Sequence, residues 1–277
     1  MVENRGPSLL IINGTFAAIA TVFVVLRVIS RGYILKKLGL DDAMIVFATV
    51  LTNLLVVLSG IGVMYGAGKH TWDLDPNDAL AAAKLRFITH IVYVIASGCI
   101  KISICLLYLR LFPNLHLITL MTIAVISAMS TALFLTTIFQ CSPVDAVYNA
   151  QKYEHYSCIN TVAYWSAIGT LYLVTDIWVL VLPIPTIQGL QTTRRKKIVL
   201  TGVLSLGALA CIASIVRMVY IVQLYTGSDR SWDNVSVAIC SGVELALGII
   251  AASIPSLKPM IHKWVQGFHI QKSEAST

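Results

Sequence analysis

Seven apolar runs alternate with short polar stretches along this chain. They extend from Leu9 to Ile29, Asp42 to Tyr65, Arg86 to Leu109, Leu117 to Phe139, Thr161 to Ile187, Ile198 to Tyr225 and Val235 to Leu257. A hydrocarbon core about 30 Å thick is crossed by roughly 20 residues rising about 1.5 Å each, so every run is long enough to span. Backbone N–H and C=O groups find no partner in lipid, and the runs are therefore predicted to be helical throughout. The predicted fold is an all-α membrane protein, a seven-transmembrane helix bundle over residues 1–265 with a short tail at 266–277.

Composition supports that pattern. Of 277 residues, 57% are hydrophobic and 12% charged, with a mean hydropathy of +0.81. Soluble domains are about 45–50% apolar. The net charge of +7 would suit an anionic partner, but the basic residues lie in short loops between apolar runs. They are better read as orientation signals in a lipid environment than as a nucleic-acid surface. Arg27, Arg31, Lys36 and Lys37 follow the first run, Arg110 the third, Arg194 to Lys197 the fifth, and Lys258, Lys263 and Lys272 the seventh. All fall on one side, which predicts an outside N-terminus and a cytoplasmic C-terminus. The start "MVENRGPSLLIINGTF" lacks the basic region and cleavage site of a signal peptide, so the first run is expected to be retained. Its "NGT" sequon falls in that first helix, out of reach of glycosylation. The expected location is a multi-pass position in the plasma membrane or an endomembrane.

Cys141 and Cys158 flank the longest outside loop, whereas Cys99, Cys105, Cys211 and Cys240 lie within apolar runs. An oxidising exterior permits a Cys141–Cys158 disulfide, and two free thiols at helix ends is the other reading that the sequence leaves open. No His or second Cys stands at ligand spacing on the cytoplasmic side, so no metal site is expected.

Four ionisable residues interrupt the spans: Lys101, Asp176, Arg217 and Glu244. Such groups are costly in a membrane and are read as paired or lining a cavity. Counting from the outside ends at the helical rise puts Lys101 and Asp176 each about 22 Å down, and Arg217 and Glu244 about 12–14 Å down. Two opposite-charge pairs at two depths follow. The deep pair is read as structural, and the shallower one as facing a pocket between helices. His90, one turn below Arg86, is a candidate for that pocket, and His70 in "YGAGKHTWDLDP" is a candidate for capping it.

Several segments carry a resemblance as a set. "LGLDDAMIVFA", "GAGKHTWDL", "KISICLLYLRLF", "FQCSP" with the later Cys158, "TDIWVLVLPIP", "SIVRM" and "VELALGIIAASIPSLKP" occur in order over most of the chain. Together they resemble the fungal rhodopsin-like integral membrane family. That family includes the satratoxin-cluster membrane protein and is related to the seven-helix part of fungal host-sensing receptors. The resemblance implies a fungal source and recurring polar positions at Asp41, Asp42, His70, Lys101, Arg110, Asp176, Arg217 and Glu244. It also implies an extracellular cysteine pair at Cys141 and Cys158, here without the tryptophan expected between them.

Retinal is not expected, because a Schiff base needs a lysine in the middle of the seventh helix and Val235 to Leu257 contains none. No other cofactor is implied. Conventional G-protein coupling is argued against by "LYLRLFP" and "SIPSLKP", which stand where common receptors carry their coupling motifs. The reading is a receptor-like or accessory protein of fungal secondary metabolism that handles a small hydrophobic metabolite. Arg217, Glu244, His90 and His70 are its candidate ligand-binding residues. The alternative is a membrane-embedded cyclase or isomerase with Glu244, Asp176 and His90 as candidate acid–base residues. Transport is less favoured, since no inverted repeat is evident.

Overall fold

The computed structural model describes residues 4–34, 36–149, 152–185, 194–227 and 229–274. Ile187, Thr192 and Thr193 lie outside the described residues, as do the side chains of residues 194–200 and 258–274 with their basic clusters. Among the described residues, seven helices are long and apolar enough to cross a membrane. They are α1 (Gly6–Ile29), α2 (Leu40–Met64), α3 (Pro76–Leu111), α4 (His116–Ile138), α5 (Thr161–Val181), α6 (Arg194–Thr226) and α7 (Arg230–Glu274). The chain is thus a multi-pass integral membrane protein.

Local chemistry accounts for several boundaries. Pro stands in the first turn of α1 and of α3, where its missing N–H removes no helical bond. Asn160 caps α5 by accepting from the Ala163 N–H at 3.2 Å. Asp42 in the first turn of α2 accepts from the Gly39 N–H at 3.0 Å. Two boundaries differ notably from the apolar pattern. Helix α3 begins ten residues before Arg86, because "PNDALAAAKL" is rich in helix-forming alanine yet too polar to register as a span. Helix α7 continues through Glu274, past the point at which the sequence pattern divides off a polar tail.

Helices α3 and α7 are the most enclosed spans. Helix α1 packs against α2 and α7, α3 against α2 and α4, and α6 against α5 and α7. The shared core contains Ile100, Trp165, Tyr172, Leu245 and Ile249. Outward-facing Ile11, Val22, Val50, Met121, Val174 and Val219 are exposed, as lipid-facing residues must be.

Two constructions close the end of the bundle that bears the N-terminus. The first is a disulfide between Cys141 and Cys158, which ties β1 (Cys141–Ser142) to β2 (Ser157–Cys158) in an antiparallel pair. The second is a stack of four side chains. The Arg5 guanidinium lies 4.2 Å over Trp232, Trp232 stacks on His70 at 4.3 Å, and His70 stacks on Trp72 at 4.6 Å. Gly68 makes this closure possible, because its φ of +95° and its approach to the Gly6 backbone leave no room for a side chain. Arg5 N–H then donates to Gly68 O at 3.0 Å.

The opposite end corrects one sequence assignment. Arg27 and Arg31 are not loop charges: α1 carries Arg27, and a π-helical turn at Ser30–Ile34 carries Arg31. Both are buried against the two carboxylates that open α2. Arg27 contacts Asp41 at 2.7 Å and Asp42 at 2.8 Å, and Arg31 contacts them at 2.6 and 3.2 Å. Arg110 adds a looser contact to Asp41 at 3.4 Å. Arg27 also donates to the Ala252 carbonyl on α7, so one guanidinium joins three helices.

Candidate functional site

Helical spacing sets one polar stripe on each of three helices. Tyr93, Ser97 and Lys101 stand four apart on α3, Tyr172, Thr175 and Asp176 share a face of α5, and Ser241, Glu244 and Gly248 share a face of α7. These stripes converge with Arg217 of α6 in the middle of the bundle.

The deeper group is fully satisfied. Lys101 Nζ lies 3.0 Å from Asp176 Oδ1 and donates to Thr175 Oγ1 at 2.7 Å and to the Tyr172 carbonyl at 3.2 Å. Ser214 of α6 donates to Asp176 Oδ2 at 3.1 Å. The ammonium is thus held by two hydrogen bonds and an ion pair.

The shallower group is not. Arg217 Nε lies 3.1 Å from Glu244 Oε2, but the N–H is not aligned with that oxygen, and neither atom makes a hydrogen bond. Arg217 Nη2 and the Tyr172 hydroxyl are also buried without a hydrogen-bond partner. Glu244 is instead held on its other oxygen by the Tyr93 hydroxyl, which donates at 2.6 Å. The guanidinium sits 4.8 Å over Tyr93 and 5.4 Å over Tyr172, within cation–π range.

Three cavities surround this layer. A cavity of about 110 Å³ opens toward the N-terminal end and is lined by Leu9, Asn13, Val56, Tyr93, Ile168, Tyr172 and Arg217, among others. Asn13 is fixed there by donating to the Ala238 carbonyl at 3.1 Å, and Gly242 leaves the room its amide occupies. A wider space of about 380 Å³ lies beneath the disulfide loop and shares Arg86, His90 and Trp165 with the first cavity. Below, a chamber of about 70 Å³ is lined by Lys101, Asp176 and Glu244. The Arg217–Glu244 contact thus separates an upper cavity, which Arg217 faces, from a lower chamber, which Glu244 faces.

The structure therefore brings Lys101 to Asp176 and Arg217 to Glu244. It places His90 in the upper cavity wall, against Trp165 at 4.5 Å between ring centres. It does not gather the candidate acid–base residues, because His90 lines the upper cavity while Asp176 and Glu244 line the lower chamber. His70 belongs to the four-layer stack, where its Nδ1 donates to Asp229 Oδ2 at 2.6 Å. Thr71 donates to the other oxygen of Asp229 through its N–H at 3.1 Å and its hydroxyl at 2.7 Å. Burial alone would raise the Asp229 pKa, but the donors from Thr71, His70 and the Trp232 N–H outweigh it and hold the carboxyl below its ordinary range. No group of three or more His, Cys, Asp or Glu placed to hold a metal ion occurs among the described residues.

Two polar features were not drawn from the sequence. Tyr93 gives no sign of its carboxylate partner 151 positions away. The Arg27 cluster did have a signal: two arginines four apart at the end of one helix, followed after ten residues by adjacent aspartates opening the next.

Curated proteins resemble this chain over most of its length. The chain is 27% identical over 279 aligned residues to the "Polyenoic acids biosynthesis gene cluster protein Ba17b" of Metarhizium anisopliae, covering 94% of this chain and 75% of that protein. It is 29% identical to a "SAT4 family membrane protein" of Emericella nidulans, over 70% of this chain and 50% of the relative. It is 27% identical to "Receptor GIN3" of Arthrobotrys oligospora, over 69% of this chain and 45% of the relative. The chain thus spans three quarters of the first relative's length and about half of the other two. No solved structure matches it. The fungal rhodopsin domain model matches residues 26–263, which include all four intramembrane charges and the cysteine pair, and the chain belongs to that family.

Proposed function

We propose that this protein holds a small hydrophobic metabolite in the cavity above Arg217, as a receptor-like or accessory component of fungal secondary metabolism. One observation carries the reading: a largely apolar cavity between helices that ends on a buried guanidinium with an unpartnered Nη2. A few placed polar groups in an apolar wall are what small-molecule sites require. In this reading the N-terminal end faces outside, and the metabolite enters past Arg86, His90 and Trp165 beneath the disulfide loop.

The relatives' printed names support the setting, one naming a polyenoic-acid cluster and another a receptor. The binding role is favoured over the enzymatic one because Asp176 and Glu244 do not line the cavity that would hold a substrate. Deletion of the encoding gene, followed by metabolite profiling and by assays of response to external cues, tests the reading. Unchanged products with an altered response, or altered distribution of a finished product, are expected. Accumulation of one unconverted intermediate would replace this reading with an enzymatic one.

A further inference from the structure

The upper cavity has a one-sided electrostatic character. Arg217 and Arg86 both line it, and Arg86 also lines the wider space beneath the disulfide loop. No Asp or Glu among the described residues lines either space. Glu244, the carboxylate nearest Arg217, faces the lower chamber and is engaged by the Tyr93 hydroxyl. Arg217 is 4% exposed, yet its Nη2 has no acceptor, and Tyr172, 1% exposed on the same wall, has a hydroxyl with no partner either.

Two buried donors without acceptors, on two residues that line one apolar cavity, are what an acceptor group bound in that cavity would satisfy. A guanidinium matches a carboxylate in shape and charge, whereas an ammonium has no acceptor to offer its N–H groups and would be repelled by Arg217. A carboxylate offers one oxygen to the Arg217 Nη2 and the other to the Tyr172 hydroxyl, and its bond to the guanidinium is charge-assisted, which a neutral carbonyl's is not. Resting on the pocket reading above, we infer that the occupant is an organic acid with an apolar chain, its carboxylate seated on Arg217 and Tyr172. The cavity, about 110 Å³, is smaller than the ~150 Å³ engineered cavity that admits benzene. It takes the carboxylate and the first few carbons, and the rest of the chain runs past His90 and Trp165 into the wider space. A short-chain metabolite and a membrane fatty acid share this chemistry.

The test uses the full chain in phosphatidylcholine nanodiscs, with tryptophan fluorescence as the readout because Trp165 lines the cavity. Octanoate, 2-octanone, octylamine and oleate are titrated. Octanoate is expected to give a saturable change, at least tenfold tighter than 2-octanone or octylamine and absent in Trp165→Phe. Tighter binding of oleate than of octanoate would support the same site with a membrane fatty acid as its source. Arg217→Gln combined with Glu244→Gln removes both charges together and is expected to weaken octanoate at least tenfold. Tyr172→Phe, which keeps every charge, is expected to weaken it several-fold. Equal or tighter binding of the ketone or the amine would overturn the carboxylate assignment while leaving the pocket reading standing. Unchanged octanoate affinity in the double variant or in Tyr172→Phe would also overturn it. A response that is linear for every probe, or that survives Trp165→Phe, would overturn both.

Discussion

Lys101 Nζ makes two hydrogen bonds and an ion pair within the bundle, so its charge is answered by the protein itself. Arg217, at a shallower level, keeps donors unspent. On that contrast rests the proposal that Arg217, and not Lys101, meets a ligand. Removing one member of a buried pair strands the other, typically at about 3–5 kcal/mol. Lys101→Met is therefore expected to lower thermal stability sharply, and adding Asp176→Leu to restore part of the loss. Additive losses in the double-mutant cycle would contradict the pairing. Arg27 presents the same problem more severely, because it serves Asp41, Asp42 and the Ala252 carbonyl at zero exposure. Arg27→Met is expected to abolish folded yield, while Arg110→Met, at the half-exposed rim of the same cluster, is expected to cost little. Equal yields of the two variants would show that the cluster contributes no stability. Both ion pairs were legible in the sequence because the helical rise is fixed, so a residue count converts directly into depth. Tyr93 was not, since an uncharged hydroxyl in an aliphatic run sets no electrostatic constraint that a count can expose.

Elements connect these residues to the ends of the bundle. The disulfide closes a 17-residue separation between α4 and α5, for which loop-closure entropy gives a stabilisation of at most about 3 kcal/mol. Replacing Cys141 and Cys158 together by Ser is expected to lower the melting temperature and to loosen the wall of the wide space they line. An unchanged melting temperature would show that the surrounding helices hold the loop without it. The four-layer stack depends on Asp229, whose carboxyl is held below its ordinary range. A carboxyl lowered on folding contributes stability above its unfolded value of about 3.9 and loses it as pH falls through the folded value. The stability advantage of the natural protein over Asp229→Asn is therefore expected to be full near pH 7 and to shrink below about pH 4. An advantage that grows on acidification would reverse the sign of this account. The apolar runs located all seven helices but misjudged the start of α3, because hydropathy measures lipid contact and the alanine-rich turns before Arg86 are helical for a different reason. Reading the basic residues as orientation signals set Arg27 and Arg31 in a loop, although helix and π-turn continue through them and α2 brings two carboxylates to meet them.

At the scale of the molecule, ion pairs and packed helices brace the lower half, and the upper half keeps a cavity open beneath a disulfide loop and an aromatic stack. The central claim is that this cavity is occupied. Gly169 lines it, and a Cβ added there would stand in ordinary contact with Met218 at 3.6 Å, so Gly169→Trp adds bulk to the cavity wall from α5. The direct measurement is native mass spectrometry of the natural protein and of Gly169→Trp after incubation in nanodiscs with a lipophilic extract of a fungal culture, the two being matched for thermal stability. At least one small-molecule adduct is expected that the natural protein retains and the Gly169→Trp variant loses, with surface lipids bound equally by both. Identical adduct spectra from the two proteins would contradict it.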